Sequence, residues 1–187
     1  MNTQIFGALL LSFSFFISCI NPTHDTKQQE ESNSPHIKPC QDFVSSLANN
    51  DEEKFWSIFL CHEEYVQLEE TYKNLCVPKE RQHEVFNYLR ETLMKQTSGN
   101  THLQLTHICI YEGKGIEPIF KDNTGTYYEF HGITSLEMKG KRYYFLAEDD
   151  FHTIEVQREL ERKRKSIEKE NARSSGPNFE FTVITLE

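Results

Sequence analysis

The spacing of apolar residues changes once along this chain, and the change limits the folds that it can adopt. Before residue 101, apolar residues recur three and four positions apart, as at Val85, Phe86, Leu89 and Leu93. After residue 101 they alternate, and one face of a predicted strand carries Leu103, Leu105, His107, Cys109 and Tyr111. Periods of about 3.6 and about 2 are typical of amphipathic helices and half-buried strands. The sequence therefore predicts an α+β domain whose N-terminal helices pack on one face of an antiparallel sheet.

A two-residue turn at Lys139-Gly140 sets the register of the clearest hairpin. It places Glu137 opposite Arg142 and Leu136 opposite Tyr143, so that charges pair on the outer face and apolar side chains on the inner face. In the strand before this turn, strict alternation predicts one face with Tyr128, Phe130, Thr134, Leu136 and Met138. It predicts the opposite face with Tyr127, Glu129, His131, Ile133, Ser135 and Glu137.

A highly charged segment from Ile154 to Arg173 precedes the last predicted strand, which contains Phe179, Phe181 and Val183. Only Val156, Leu160 and Ile167 form a thin apolar stripe along it. This pattern predicts a late, mostly solvated helix. The run Arg162-Lys163-Arg164-Lys165 could suit an acidic partner or anionic headgroups, but neighbouring glutamates dilute its charge.

The N-terminal 18 residues predict a signal peptide. The run from Ile5 to Ile17 is apolar apart from one Gly and two Ser, and its 13 residues are too few to span a bilayer. Its end, Phe16-Ile17-Ser18-Cys19, resembles the lipobox of bacterial lipoproteins. That resemblance implies cleavage before Cys19, a diacylglyceryl group on its sulfur and usually an N-acyl chain such as palmitate. The alternative is ordinary secretion, although Phe16 suits the small-x-small cleavage rule badly.

A polar segment follows the predicted lipidation site. Residues 20–38 are rich in Gln, Glu, Ser, Asn and Pro, and they lack the apolar surface needed to offset the entropy of ordering. A flexible coil of this length reaches about 24 Å. We therefore expect a signal peptide at 1–18, a lipidated Cys and tether at 19–38, and one α+β domain at 39–187.

The start of the domain adds a looser resemblance. Its helix–helix–hairpin order, with Phe43, Val44, Leu47, Ala48 and Asp51 at the start, is similar to small lipoprotein domains of the NTF2-like or cystatin-like type. That resemblance implies a pocket between the helices and the sheet. Inward polar groups such as Tyr128, Thr134 and Tyr143 would line the pocket, or would be core residues with satisfied hydroxyls.

The charge of the chain bears on its partners. Its 187 residues carry 20 Lys and Arg against 29 Asp and Glu, which gives a net charge of −9. No basic patch suited to phosphate contacts is evident, so we expect no nucleic-acid partner. We expect attachment to a membrane through the lipid, and a possible protein partner.

The predicted lipidation of Cys19 leaves four cysteines that could pair with one another. If Cys19 is lipidated, the remaining Cys40, Cys61, Cys76 and Cys109 could form up to two disulfides in an extracytoplasmic compartment. Buried thiols are the alternative. The sequence has no CxxC pair, which is the usual spacing for thiol exchange and for structural zinc.

No segment carries a catalytic or metal-binding motif. His62-Glu63-Glu64 lacks the second His of HExxH, and GxSxG and a phosphate-binding glycine loop are absent. His107 and Cys109 share a predicted strand face, but they lie too far apart for a direct hydrogen bond. His152 could meet other ligands only through the fold. We therefore expect no catalytic residue, no metal site and no cofactor.

These features favour a bacterial envelope lipoprotein whose domain binds a protein or a small ligand without catalysis. One alternative is an enzyme with a pocket-based site in an NTF2-like fold. Another is an immunity-type protein that blocks a toxin, because an acidic surface steers basic partners.

Overall fold

A computed structural model describes most of the chain after residue 32. The described residues are 33–60, 76–111, 115–138, 140–146, 151–174, 176 and 179–186. The lipobox with Cys19, and Cys61, lie outside them. Within these ranges no helix is both long enough and apolar enough to cross a membrane.

The order of helices and strands is that of an α+β fold, as predicted. Four helices are described: α1 (Ile37–Asn49), α2 (Glu52–Trp56), α3 (Lys79–Gln96) and α4 (Val156–Arg173). Seven strands are described: β1 (Gln104–Tyr111), β2 (Gly115–Lys121), β3 (Tyr127–Phe130), β4 (Ile133–Met138), β5 (Lys141–Leu146), β6 (Phe151–Ile154) and β7 (Phe181–Thr185). The late charged helix α4 precedes the last strand, β7, as the sequence predicted.

The strands form one antiparallel sheet in the order β5-β4-β2-β1-β7, and β3 pairs with β2 and β6. β3 and β4 are two parts of one long strand. β2 pairs with β3 as far as Ile119↔Glu129 and with β4 at Ile116↔Ile133. Between these two pairs β2 advances by three residues, whereas the β3–β4 strand advances by four. The extra residue forms a bulge, after which the side chains of β4 point to the opposite faces from those that alternation predicts.

This reversal corrects one predicted face. Ile133 was expected on the same face as Glu129, but it packs in the core with Phe130. A second irregularity lies on β1. Leu105 pairs with Phe120 and His107 with Ile119, so that Thr106 has no register partner on β2. The bulge places Leu105 in that same core, away from Cys109, so the predicted single face on β1 is also wrong.

The two faces of the sheet have separate cores. α1, α2 and α3 cover one face, as predicted, and pack there on a core of 23 buried residues rich in phenylalanine. α4 covers the opposite face, where Val156 and Leu160 pack on Cys109 and Ile119. The predicted stripe of α4 is confirmed, because Val156, Leu160 and Ile167 are all buried.

The predicted register of the hairpin is confirmed, but its predicted faces are wrong. Glu137 and Arg142 lie on the face covered by the N-terminal helices, with the core residue Tyr144, whereas Leu136 and Tyr143 are half-buried on the opposite face. β4 and β5 pair with Leu136 opposite Tyr143 and Glu137 opposite Arg142. The Arg142 Nη2 donates a hydrogen bond of 2.9 Å to the Glu137 carboxylate. Gly140 has a φ of 74°, a left-handed conformation that glycine adopts without strain.

Candidate functional site beneath the last helix

A lysine interrupts the apolar stripe of α4. Lys163 lies three residues after Leu160 and four before Ile167, so helical geometry turns it toward the sheet, and its side chain is only 5 % exposed. Burying an ammonium group is costly unless anionic partners compensate it. The position of Lys163 therefore requires acidic groups on the sheet beneath it.

Two neighbouring strands supply these acids. Glu117 on β2 lies two residues before Ile119, and Glu129 on β3 is the register partner of Ile119, so both carboxylates face α4. The Nζ of Lys163 lies 2.6 Å from Glu117 Oε2 and 3.2 Å from Glu129 Oε1. Glu159, one turn earlier on α4, lies 3.4 Å away. We call Glu117, Glu129, His131 and Lys163 the ionic cluster.

His131 joins the cluster at the break between β3 and β4. Its Nε2 lies 2.8 Å from Glu129 Oε2, and the Glu129 side chain is only 1 % exposed. The hydrogen bond to Glu129 raises the pKa of His131 against the opposing effect of burial. The ring of His152, which is paired in register with Glu129, lies 4.9 Å from the His131 ring. Two imidazoles therefore lie close together here, and that of His131 contacts the buried carboxylate.

The cluster also determines the protonation of its neighbours. Burial alone would lower the pKa of Lys163, but the hydrogen bond to Glu117 and the charges of Glu117 and Glu129 hold this pKa above its usual range. Burial raises the pKa of Tyr111 and of Cys109, and nearby glutamates add to both effects. At neutral pH Lys163 is thus an ammonium, Tyr111 a phenol and Cys109 a thiol. None of the three is in its nucleophilic form.

A cavity of about 480 Å³ opens beside the ionic cluster, between α4 and the sheet. Tyr111, Glu117, His131 and Lys163 form part of its wall, and Ile167 of α4 adds apolar surface. Ser166 and Glu170 border it on α4. The cavity thus combines apolar walls with a few convergent charged groups, a combination typical of small-ligand sites.

The NTF2-like resemblance implies a pocket on the other face of the sheet, beneath the N-terminal helices. Aromatic rings occupy the centre of that face. Phe43 stacks 4.7 Å from Phe130, which lies 4.8 Å from Phe151. Six phenylalanines in this core are less than 2 % exposed: Phe43, Phe55, Phe86, Phe120, Phe130 and Phe151. Phenylalanine side chains therefore fill the centre of this face, and a cavity of about 610 Å³ lies at its edge between α1 and β5, with Tyr143 in its wall.

The three polar residues expected to line that pocket do not converge. The hydroxyl of Tyr128 donates to the Asp122 carboxylate at 2.9 Å, so this tyrosine is a core residue with a satisfied hydroxyl. Thr134 lines the cavity beneath α4 instead. Tyr143 lies on β5, where the ammonium of Lys141 sits 4.8 Å from the centre of its ring.

The cysteines lie in different surroundings. Cys40 lies on α1 and is buried in the core on the face of the sheet covered by the N-terminal helices, whereas Cys109 is buried on the opposite face. Cys76 is partly buried just before α3. Because Cys61 lies outside the described residues, the predicted disulfides stay predictions.

A second buried histidine lies where the predicted tether meets the domain. His36 precedes α1 and is 3 % exposed. The Arg142 Nη1 donates to its Nε2 at 2.7 Å, so Nε2 must carry a lone pair and the proton must reside on Nδ1. Nδ1 then donates to the Tyr144 hydroxyl at 3.2 Å, and that hydroxyl donates to the Pro35 carbonyl at 3.1 Å. Ordered structure therefore begins before residue 39.

Sequence analysis did not single out Glu117 or Lys163. The signal for Lys163 was its place on the apolar stripe of α4, and the signal for Glu129 was its predicted strand face. No protein-family model, no curated protein sequence and no solved structure matches this chain. Its function has to be inferred from the residues themselves.

Proposed function

We propose that this chain is a lipid-anchored protein of a bacterial cell envelope, whose α+β domain binds a small ligand in the cavity beneath α4 without converting it. The observation that carries the proposal is the cavity of about 480 Å³ with Glu117, His131 and Lys163 of the ionic cluster in its wall. Its volume is within the range of small-molecule sites, and its charged groups would fix the orientation of a ligand.

The protonation of the cavity groups favours binding over nucleophilic catalysis. Lys163 is held as an ammonium by two carboxylates. A nucleophilic or general-base lysine needs the opposite shift, toward a lower pKa. Cys109, beneath α4, is buried, and burial raises its thiol pKa. These groups would contact a ligand with charges and hydrogen bonds that are already in place.

The proposed location rests on the N-terminal sequence. The lipobox-like Phe16-Ile17-Ser18-Cys19 supports lipidation at Cys19, and the polar segment after it supports a spacer between lipid and domain. One acyl chain holds a protein only marginally at a membrane, whereas a diacylglyceryl group with an N-acyl chain gives stable anchoring. Globomycin, which blocks the lipoprotein peptidase, should therefore make the precursor accumulate.

The two alternatives have weaker support. The enzymatic alternative placed its active site between the N-terminal helices and the sheet, where phenylalanine side chains fill the core. The immunity-type alternative relies on acidic charge alone, and the net charge of −9 is its main argument. Ligand binding in the cavity beneath α4 requires neither an active site under the N-terminal helices nor a basic protein partner.

The ligand can be tested without knowing its identity. The protein is purified from membranes under native conditions, and the small molecules released on denaturation are identified by mass spectrometry. Ser166→Trp places an indole at the cavity border, whereas Ala172→Trp places the same group on an exposed site of the same helix. We expect a released molecule from the wild type and from Ala172→Trp, and its loss from Ser166→Trp. Equal amounts from both variants, or none from the wild type, would contradict ligand binding in this cavity.

A further inference from the structure

We propose that the ionic cluster is also a site for a divalent metal ion of the zinc or manganese class, with Glu117, Glu129 and His131 as its protein ligands. One donor atom from each of the three residues lies within 4.8 Å of the others. Two carboxylate oxygens and one imidazole nitrogen form a mixed donor set. Carboxylates suit manganese and magnesium, imidazole suits zinc, and both ligand types bind zinc.

The elements that carry the three ligands hold them in place. Glu117 and Glu129 project from neighbouring strands of one sheet, and His131 follows β3 by one residue. A sheet fixes donor positions more closely than a loop does, because each strand is held by its neighbours. Cys109 lies opposite Glu117 in the register of β1 and β2, so the floor of the site is buried strand.

An independent observation concerns the Glu129 carboxylate. The side chain is 1 % exposed, and its Oε1 accepts no hydrogen bond within the described part of the chain. Within the described residues, Oε1 forms an ion pair with the Lys163 ammonium at 3.2 Å, without hydrogen-bond geometry. A buried carboxylate oxygen normally has a hydrogen-bond donor or a metal ion as its partner. Oε1 thus has the capacity to bind a cation in the site.

Lys163 supplies the positive charge of the cluster when no metal is bound. Its ammonium is the competitor that an incoming ion has to displace from Glu117 and Glu129. The side chain has an alternative position, because it lines the open cavity and its Nζ already lies 3.4 Å from Glu159. A divalent ion would then neutralise the two carboxylates, while Lys163 pairs with Glu159.

Three protein ligands would leave part of the coordination shell open to the cavity. Zinc sites that bind water or substrate have this composition, whereas structural zinc sites use four protein ligands. This inference deepens the proposed function, on whose cavity it rests, because a metal ion on the cavity wall would take a ligand with an anionic or carbonyl oxygen. It does not depend on the lipid anchor.

Isothermal titration calorimetry tests the site with ZnCl₂, MnCl₂ and MgCl₂ as separate probes on the chelator-treated full chain. We expect one zinc or manganese ion per chain and much weaker binding of magnesium. Glu129→Gln and His131→Gln should each weaken zinc binding by at least about tenfold. His83→Gln serves as the matched control, because His83 is exposed and pairs with Glu52 on the opposite side of the sheet, so this variant should bind zinc as the wild type does.

Lys163→Met gives a result that a merely structural cluster would not give. It removes the competing ammonium, so zinc affinity should rise by about tenfold and zinc should raise the Tm of this variant more than that of the wild type. The inference is overturned if the wild type shows no saturable binding, or if His131→Gln and His83→Gln bind zinc equally. Released small molecules with no metal binding would overturn the metal site alone, whereas metal binding without any released molecule would overturn only the ligand proposal.

Discussion

Acidification should destabilise this domain through His36. Arg142 donates to the Nε2 of His36, so a second proton on the imidazole would place an N–H group against the guanidinium. Burial, with the charge of Arg142, lowers the pKa of His36 from 6.5 to about 4. The folded state thus favours neutral histidine, whereas the unfolded chain takes up a proton below pH 6.5. The stability from His36 is complete above pH 6.5 and is lost as the pH falls toward 4.

The size of this loss follows from the two pKa values. The gap between 6.5 and about 4 corresponds, at about 1.4 kcal/mol per pKa unit, to roughly 3 kcal/mol. Urea unfolding of the wild type and His36→Gln between pH 7.5 and pH 4 measures it, because the other titrating groups cancel in the difference. The advantage of the wild type over the variant should shrink by roughly this amount. A constant difference across the range would refute the reasoning.

Three further changes test the packing and the charges of the domain by urea unfolding at pH 7.5. Phe130→Ala removes a fully buried ring that packs on Phe43 and Phe151 and should cost about 3–5 kcal/mol; a loss below about 1 kcal/mol would contradict the packed core. Lys163→Met leaves the buried Glu129 carboxylate without its cation and should cost about 3–5 kcal/mol in the absence of added metal, so an unchanged midpoint would refute the pairing. Glu137→Gln breaks an exposed pair with Arg142 and should cost less than about 1 kcal/mol, and a larger loss would indicate a role beyond that pair.

Local chemistry explains which parts of the fold the sequence predicted. The predicted two-residue turn determines the β4–β5 register, because a connection of two residues between Met138 and Lys141 leaves one pairing compatible with alternating faces. The stripe Val156, Leu160 and Ile167 likewise marks the buried side of α4. These features depend on neighbours within a few residues.

The irregular features depend on contacts between distant segments. The extra residue between β3 and β4 and the bulge at Thr106 reverse the alternation. Gly132 lies at the first point, but neither glycine nor proline marks the second. Simple periodicity therefore placed Ile133 and Leu105 on the wrong faces. The resemblance to NTF2-like domains also implied a pocket on the face covered by the N-terminal helices, but phenylalanine side chains fill the centre of that face.

The sequence did not indicate the candidate site, because contacts between distant segments also create the ionic cluster. A lysine in a charged segment is normally solvated. Lys163 is buried because Glu117 and Glu129, on two strands of the sheet, pair with its ammonium. Glu117 lies 46 residues before Lys163 in the sequence. Ionic partners across such separations leave no periodic pattern, so only the fold brings them together.

Native mass spectrometry of the protein extracted from membranes in mild detergent tests the central proposal most directly, because one spectrum reports both the anchor and the ligand. We predict a chain that begins at Cys19, carries a diacylglyceryl and an acyl group, and holds a non-covalent small molecule that Ser166→Trp loses and Ala172→Trp keeps. A chain without lipid on Cys19, and without any bound molecule, would contradict the account.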